Sequence, residues 1–146
     1  MVIKKFLSII LACAFVTVCA IPAFAFEEEG GQSHINNQSR FTGITSFNAF
    51  IDNTGTTIKG SVLVAIENGY TGKVKLYIQK SSNEITWSDY YTLPFFSLEN
   101  GADDIFKIVK KSASTGCYYR TKATLSVYSN GTLVDSTTAF SNAIYI

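Results

Sequence analysis

An antiparallel all-β sandwich is the fold this sequence predicts, and three observations carry it. From Phe41 onward, apolar and polar residues alternate in short runs, the period-two pattern of half-buried strands. Turn residues such as Asn68-Gly69, Asn100-Gly101 and Asn130-Gly131 cut these runs at spacings of roughly 8 to 14 residues. No helical period follows residue 25. About seven strands result, each with one face for a core.

Taken in order, Ile44 to Asp52 alternates with Phe47, Ala49 and Ile51 on one face. Thr56 to Ile66 follows, with Ile58, Val62, Val64 and Ile66 in phase, and Asn68-Gly69 ends it. From Lys73 to Lys80 the pattern is cleanest: Val74, Leu76 and Ile78 face one way, and Lys73, Lys75, Tyr77 and Gln79 the other. Ser81-Ser82-Asn83 turns the chain into a strand expected to carry Ile85 and Trp87 and to run through Tyr90 and Tyr91 to Pro94. Asp104 to Lys111 is short, with Phe106 and Ile108 expected inward and Lys107 and Lys111 on the solvent side, protecting an edge. Tyr118 to Tyr128 is long: Tyr119, Thr121, Ala123, Leu125 and Val127 face in, while Arg120, Lys122, Thr124 and Ser126 face out. Asn130 and Gly131 suit the positive φ angles of a type I′ hairpin turn. The last strand runs from Leu133 to Ile146, broken near Ser141-Asn142 by an expected bulge.

Ahead of this domain the chain reads as a leader. Lys4 and Lys5 precede an apolar run from Phe6 to Ile21, and Ala23-Phe24-Ala25 supplies small residues for a cut after Ala25. Pro22 ends the apolar helix and leaves the cut site extended. The run is shorter than the roughly 20 residues a spanning helix needs. A lipid attachment at Cys13 would require a solvated leash after it, yet the chain stays apolar there. Residues 1–25 are therefore expected to be a cleaved signal peptide, which places the protein outside the cell, free or held at the cell wall. Residues 26–40, with Glu27-Glu28-Glu29-Gly30-Gly31 and Asn36-Asn37, are too poor in apolar side chains to repay ordering and are expected to form a flexible tether. Residues 41–146 are the sandwich domain.

Composition excludes several functions. Removing Lys4 and Lys5 leaves ten basic residues against eleven acidic ones, a balance near neutrality that provides no basic field for nucleic acid or an anionic membrane. Cys117 is the one cysteine left, so the domain cannot close an internal disulfide, and a buried thiol is the expectation. The single histidine, His34, falls in the tether, so neither a nucleophile–histidine triad nor an ordinary catalytic zinc can be assembled.

Three stretches carry a resemblance. Lys73 to Trp87 resembles the third and fourth strands of fibronectin type III-like and other immunoglobulin-like modules. Gly116-Cys117-Tyr118-Tyr119-Arg120-Thr121-Lys122-Ala123 resembles their sixth strand, and Tyr128 to Ser136 leading to Ser141-Asn142 completes the pattern. Over residues 44 to 146 the chain is similar to a family of small secreted proteins of Gram-positive bacteria. The resemblance implies an immunoglobulin-like, fibronectin type III-like sandwich, with Tyr119 as a structural corner tyrosine. It brings no catalytic motif, and a shared fold transfers no function.

Among candidate sites the aromatic set stands first. Trp87, Tyr90, Tyr77 and Tyr118 are the expected ligand-binding residues, because amphipathic rings offer stacking area and a hydrogen-bonding tip. The competing explanation is that tyrosines simply cover a β surface, where they are favoured. Glu99, Asn100, Asp103 and Asp104 share a loop but match no calcium-binding spacing. Asp52, Glu67, Glu84, Asp89 and Glu99 fall at turns or strand ends, with nothing to pair them for glycoside hydrolysis.

The expectation is a non-enzymatic secreted module without cofactor or metal, a monomer or weak homo-oligomer whose partner is an extracellular glycan or protein. The alternative is a structural protein that self-associates through edge strands or Cys117.

Overall fold

The computed structural model describes residues 41–146, so the expected signal peptide and tether lie outside the described residues. The described chain is all-β and contains no helix, hence none able to cross a membrane. Nine strands run in order: β1 Ile44–Thr54, β2 Thr57–Ile66, β3 Thr71–Ser81, β4 Ser88–Thr92, β5 Phe96–Leu98, β6 Ile105–Ser112, β7 Tyr118–Ser129, β8 Thr132–Phe140 and β9 Ile144–Tyr145. They form two antiparallel sheets. The smaller has the order β1-β2-β6; the larger has β4-β3-β7-β8, with β5 added to β3 and β9 to β7.

One apolar core lies between the sheets. Ile58, Val62 and Val64 of β2 meet Val74, Leu76 and Ile78 of β3 and Ala123, Leu125 and Val127 of β7, all fully buried. Each set sits at alternate positions, which is why period two marked these strands so plainly. Gly60 occurs in this inward series because a side chain there would collide. A Cβ would fall 2.8 Å from Thr121 Oγ1 and 3.1 Å from Ile78 Cγ1. Asn130 and Gly131, at φ 48° and 78°, close the β7–β8 hairpin as expected.

Tyr119 is wholly buried, and its hydroxyl fastens the β6–β7 connection. It accepts from the Ser114 N–H at 2.9 Å and donates to the Ser114 carbonyl at 3.2 Å.

Several expectations need correction. The strand expected to carry Ile85 and Trp87 begins only at Ser88. Before it, Asn83 Oδ1 accepts from the Ser81 hydroxyl and from the backbone N–H groups of Ile85 and Thr86, giving the backbone a side-chain partner in place of a ladder. Ile85 is left 83% exposed at the loop tip.

The face assigned to β6 is inverted. Opposed residues of an antiparallel pair share a face, and β2 sets the phase: Gly60 opposes Val109, Val62 opposes Lys107 and Ile58 opposes Lys111. Val109 is therefore the buried residue, while Phe106 and Ile108 remain 54% and 48% exposed. Lys107 and Lys111 share the phase of Val109 and reach across the sandwich margin, their amines 5.8 Å from the Phe96 ring centre and 3.8 Å from that of Tyr91. Long stems make this tolerable, and charges aimed inward from an edge still discourage strand addition.

One strand was not expected: beyond Pro94, where the fourth was to end, β5 adds to β3. The last expected strand is broken near Ser141 as anticipated, but by an interruption after Phe140 that leaves β8 and β9, not by a bulge. There the Ser141 N–H donates to the Thr121 carbonyl at 2.9 Å, and Ser141 Oγ accepts from the Thr121 N–H at 2.8 Å. The hydroxyl thus replaces a ladder partner. Cys117 is half-buried against the core rather than enclosed by it.

Two substitutions test this packing by urea denaturation. Gly60→Ala is expected to cost about 1–3 kcal/mol, the range for forcing an extra carbon into a filled core. Tyr119→Phe should cost about 1–3 kcal/mol by stranding the Ser114 backbone groups. An unchanged midpoint in either variant contradicts the corresponding contact.

Candidate binding face

The outward positions of β3, β7 and β8 build one continuous face. Register fixes its rows. Gln79 lies beside Arg120, Tyr77 beside Lys122, Lys75 beside Thr124, Lys73 beside Ser126, and Thr71 beside Tyr128. On the far side of β7, Phe140 opposes Lys122, Thr138 opposes Thr124, and Ser136 opposes Ser126.

Aromatic rings hold the cations of this face. Arg120 is flanked by two rings, its guanidinium carbon 4.2 Å from the Trp87 ring centre and 4.4 Å from that of Phe140. Its Nε donates to Gln79 Oε1 at 2.9 Å, and Gln79 Nε2 donates to Asp89 Oδ1 at 2.9 Å. A planar cation with two ring neighbours and a hydrogen bond is held in one orientation. Partial burial pulls the Arg120 pKa below its ordinary value, but guanidinium starts so far above neutrality that the charge persists. Tyr77 takes Lys75 at 5.2 Å and Lys122 at 5.0 Å. Lys73 lies 5.5 Å from both Phe95 and Tyr128. Beside it, Thr71, Gly72, Ser97, Leu98, Glu99 and Gly131 complete an open depression of about 340 Å³ with Lys73 and Tyr128.

Among the described residues the one ion pair is Lys59 with Asp52, at 3.7 Å on the opposite sheet. Lys73, Lys75, Arg120 and Lys122 thus have no carboxylate within 4.0 Å among those residues.

The four aromatic residues singled out from the sequence divide. Tyr77 and Trp87 both stand on this face. Trp87 is placed by the Asn83-organised loop, where its indole N–H donates to the Glu84 carbonyl at 3.1 Å. Tyr118 lies at the end of β7 and packs on Tyr145, with ring centres 4.9 Å apart. Tyr90 turns the other way: its hydroxyl donates to the Ser112 carbonyl at 2.7 Å, and its ring stands edge-on to Tyr119 at 5.5 Å. Lys80 lies near that pair, 5.8 Å from Tyr90 and 5.9 Å from Tyr119. Desolvation works to lower the Lys80 pKa, but charge and hydrogen-bond interactions with Tyr119 and Cys117 outweigh it and the net shift is upward.

Arg120, Gln79, Phe140, Lys73, Lys75 and Lys122 are the residues that sequence reasoning left out of the site. Their outward phase was readable, but their meeting depends on β3 lying beside β7. No group of three or more histidine, cysteine or acidic residues able to hold a metal occurs among the described residues. Comparison with family models, curated proteins and solved structures finds no match to this chain.

The placement of Trp87 can be tested through its loop. Asn83→Ala removes the acceptor of three hydrogen bonds and is expected to cost about 1–2 kcal/mol. Amide exchange at Ile85 and Thr86 should accelerate with it; protection that stays intact contradicts the role given to Asn83.

Proposed function

We propose that this chain is a secreted, non-enzymatic module that holds a cell-surface or cell-wall glycan, or an extracellular protein, on the outer face of its larger sheet. The observation that carries the reading is the row of four cations held by aromatic rings on that face with no acidic partner at ion-pair distance among the described residues. Fixed charges with no carboxylate at ion-pair distance raise the local concentration of an oppositely charged partner and bind it at little ordering cost. Export is the part of the proposal that rests on residues 1–25.

The immunoglobulin-like, fibronectin type III-like assignment draws support from the order β1-β2-β6 against β4-β3-β7-β8 and from Tyr119 at the β6–β7 corner. Such a scaffold offers one broad sheet face and leaves loops free, which suits adhesion better than turnover.

A second reading is favoured by the opposite side of the molecule. Phe106 and Ile108 stand exposed on the outer face of the smaller sheet, with Leu63 opposite Phe106 and Phe50 opposite Ser61 in the same rows. Self-association there would make the protein a structural one.

Co-sedimentation with isolated Gram-positive cell walls tests the first reading. Saturable binding is expected, and Trp87→Ala, which leaves the core untouched, should weaken it several-fold by releasing Arg120. Absence of binding to walls and culture-fluid proteins alike contradicts it. Sedimentation velocity tests the second: a concentration-dependent dimer that Phe106→Ser abolishes supports it, and a monomer at every concentration counts against it.

A further inference from the structure

Resting on the glycan reading, we infer that the ligand is an acidic glycan, a sugar polymer whose repeating carboxylate or phosphodiester groups lie along Arg120, Lys122, Lys75 and Lys73. The pairing of β3 with β7 gives four successive rows one cation each: Arg120 beside Gln79, Lys122 beside Tyr77, Lys75 beside Thr124, and Lys73 beside Ser126. Rows two residues apart advance about 7 Å, so the charges extend over roughly 20 Å. That length suits an extended polymer and is far too long for one small anion.

Next to the cations runs a strip of hydroxyls, Thr124 and Ser126 on β7 opposite Thr138 and Ser136 on β8. Hydroxyls donate and accept, which matches the sugar hydroxyls that flank each acidic group. Arg120 adds a planar fork held by Trp87, Phe140 and Gln79, a geometry that takes carboxylate or phosphate through two parallel hydrogen bonds.

The rings themselves argue against a nucleic acid. Single strands are held by bases stacking on bare aromatic side chains. Here Tyr77, Trp87, Phe140 and Tyr128 are each already engaged by a cation, and they serve to hold charge in position. A neutral glycan would gain nothing from the four charges.

Affinity electrophoresis of the purified chain tests the inference, with gels containing polygalacturonate, poly(glycerol phosphate) teichoic acid, neutral dextran or single-stranded RNA. Retardation is expected in one or both acidic glycan gels, and which of them retards it identifies carboxylate or phosphodiester as the source. Binding should fall steeply between low and high salt, because screened charges carry it. Lys75→Gln with Lys122→Gln changes one exposed and one half-buried side chain outside the core and should weaken retention about tenfold without shifting the unfolding midpoint, the sum of two charge contacts. Arg120→Lys keeps the charge but loses the fork and should also weaken it.

Equal retention by dextran, stronger retention by RNA, or full retention by the double lysine variant overturns the inference. If walls bind the protein and the acidic polymers do not, glycan binding stands and its acidic character falls. If neither walls nor any polymer binds, both fall together.

Discussion

Everything on the larger sheet depends on the antiparallel pairing of β3 with β7 along the whole of β3. Because side chains alternate across a strand, this one ladder decides two surfaces at once. It puts Val74, Leu76, Ile78, Ala123, Leu125 and Val127 into the core and sets Lys73, Lys75, Tyr77, Arg120 and Lys122 on the other side. A slip of one residue would turn lysines and an arginine toward the core and bring leucine and valine to water, a cost no local repacking could meet. Register is therefore protected by charge as much as by apolar burial.

The fold was legible wherever alternation was strict and both faces had unmistakable chemistry, as in β3 and β7. It was misread in β6, because an edge strand has an ambiguous pattern. Phe106, Ile108 and Val109 are all apolar, and only the opposing Gly60 and Val62 of β2 decide which of them turns inward. No local pattern contains that information. Ile85 and Trp87 read as strand by residue type alone, whereas Asn83, through its side-chain oxygen, holds Ile85 and Thr86 in a loop that carries Trp87 with it.

The binding face was half legible for a related reason. Each strand displayed its outward residues, and Trp87 and Tyr77 were identifiable as amphipathic rings. What could not be read was adjacency. Arg120 reaches Gln79 across forty-one residues of sequence, and Phe140 reaches Arg120 by way of the β7–β8 hairpin. Tyr90 shows the reverse: its hydroxyl binds the Ser112 carbonyl, which turns the ring toward Tyr119 and away from the face. Composition concealed the cations as well, since overall near-neutrality sums them with acidic residues that sit mostly between strands, Glu67, Glu84, Glu99, Asp103 and Asp104.

The chain has a single tryptophan, and it stands against the Arg120 guanidinium on the surface rather than in the core. The protein's indole emission is thus a spectroscopic label built into that spot. It reports solvent and charge beside Arg120, while the interior, whose largest buried ring belongs to Tyr119, stays silent at wavelengths that excite tryptophan alone.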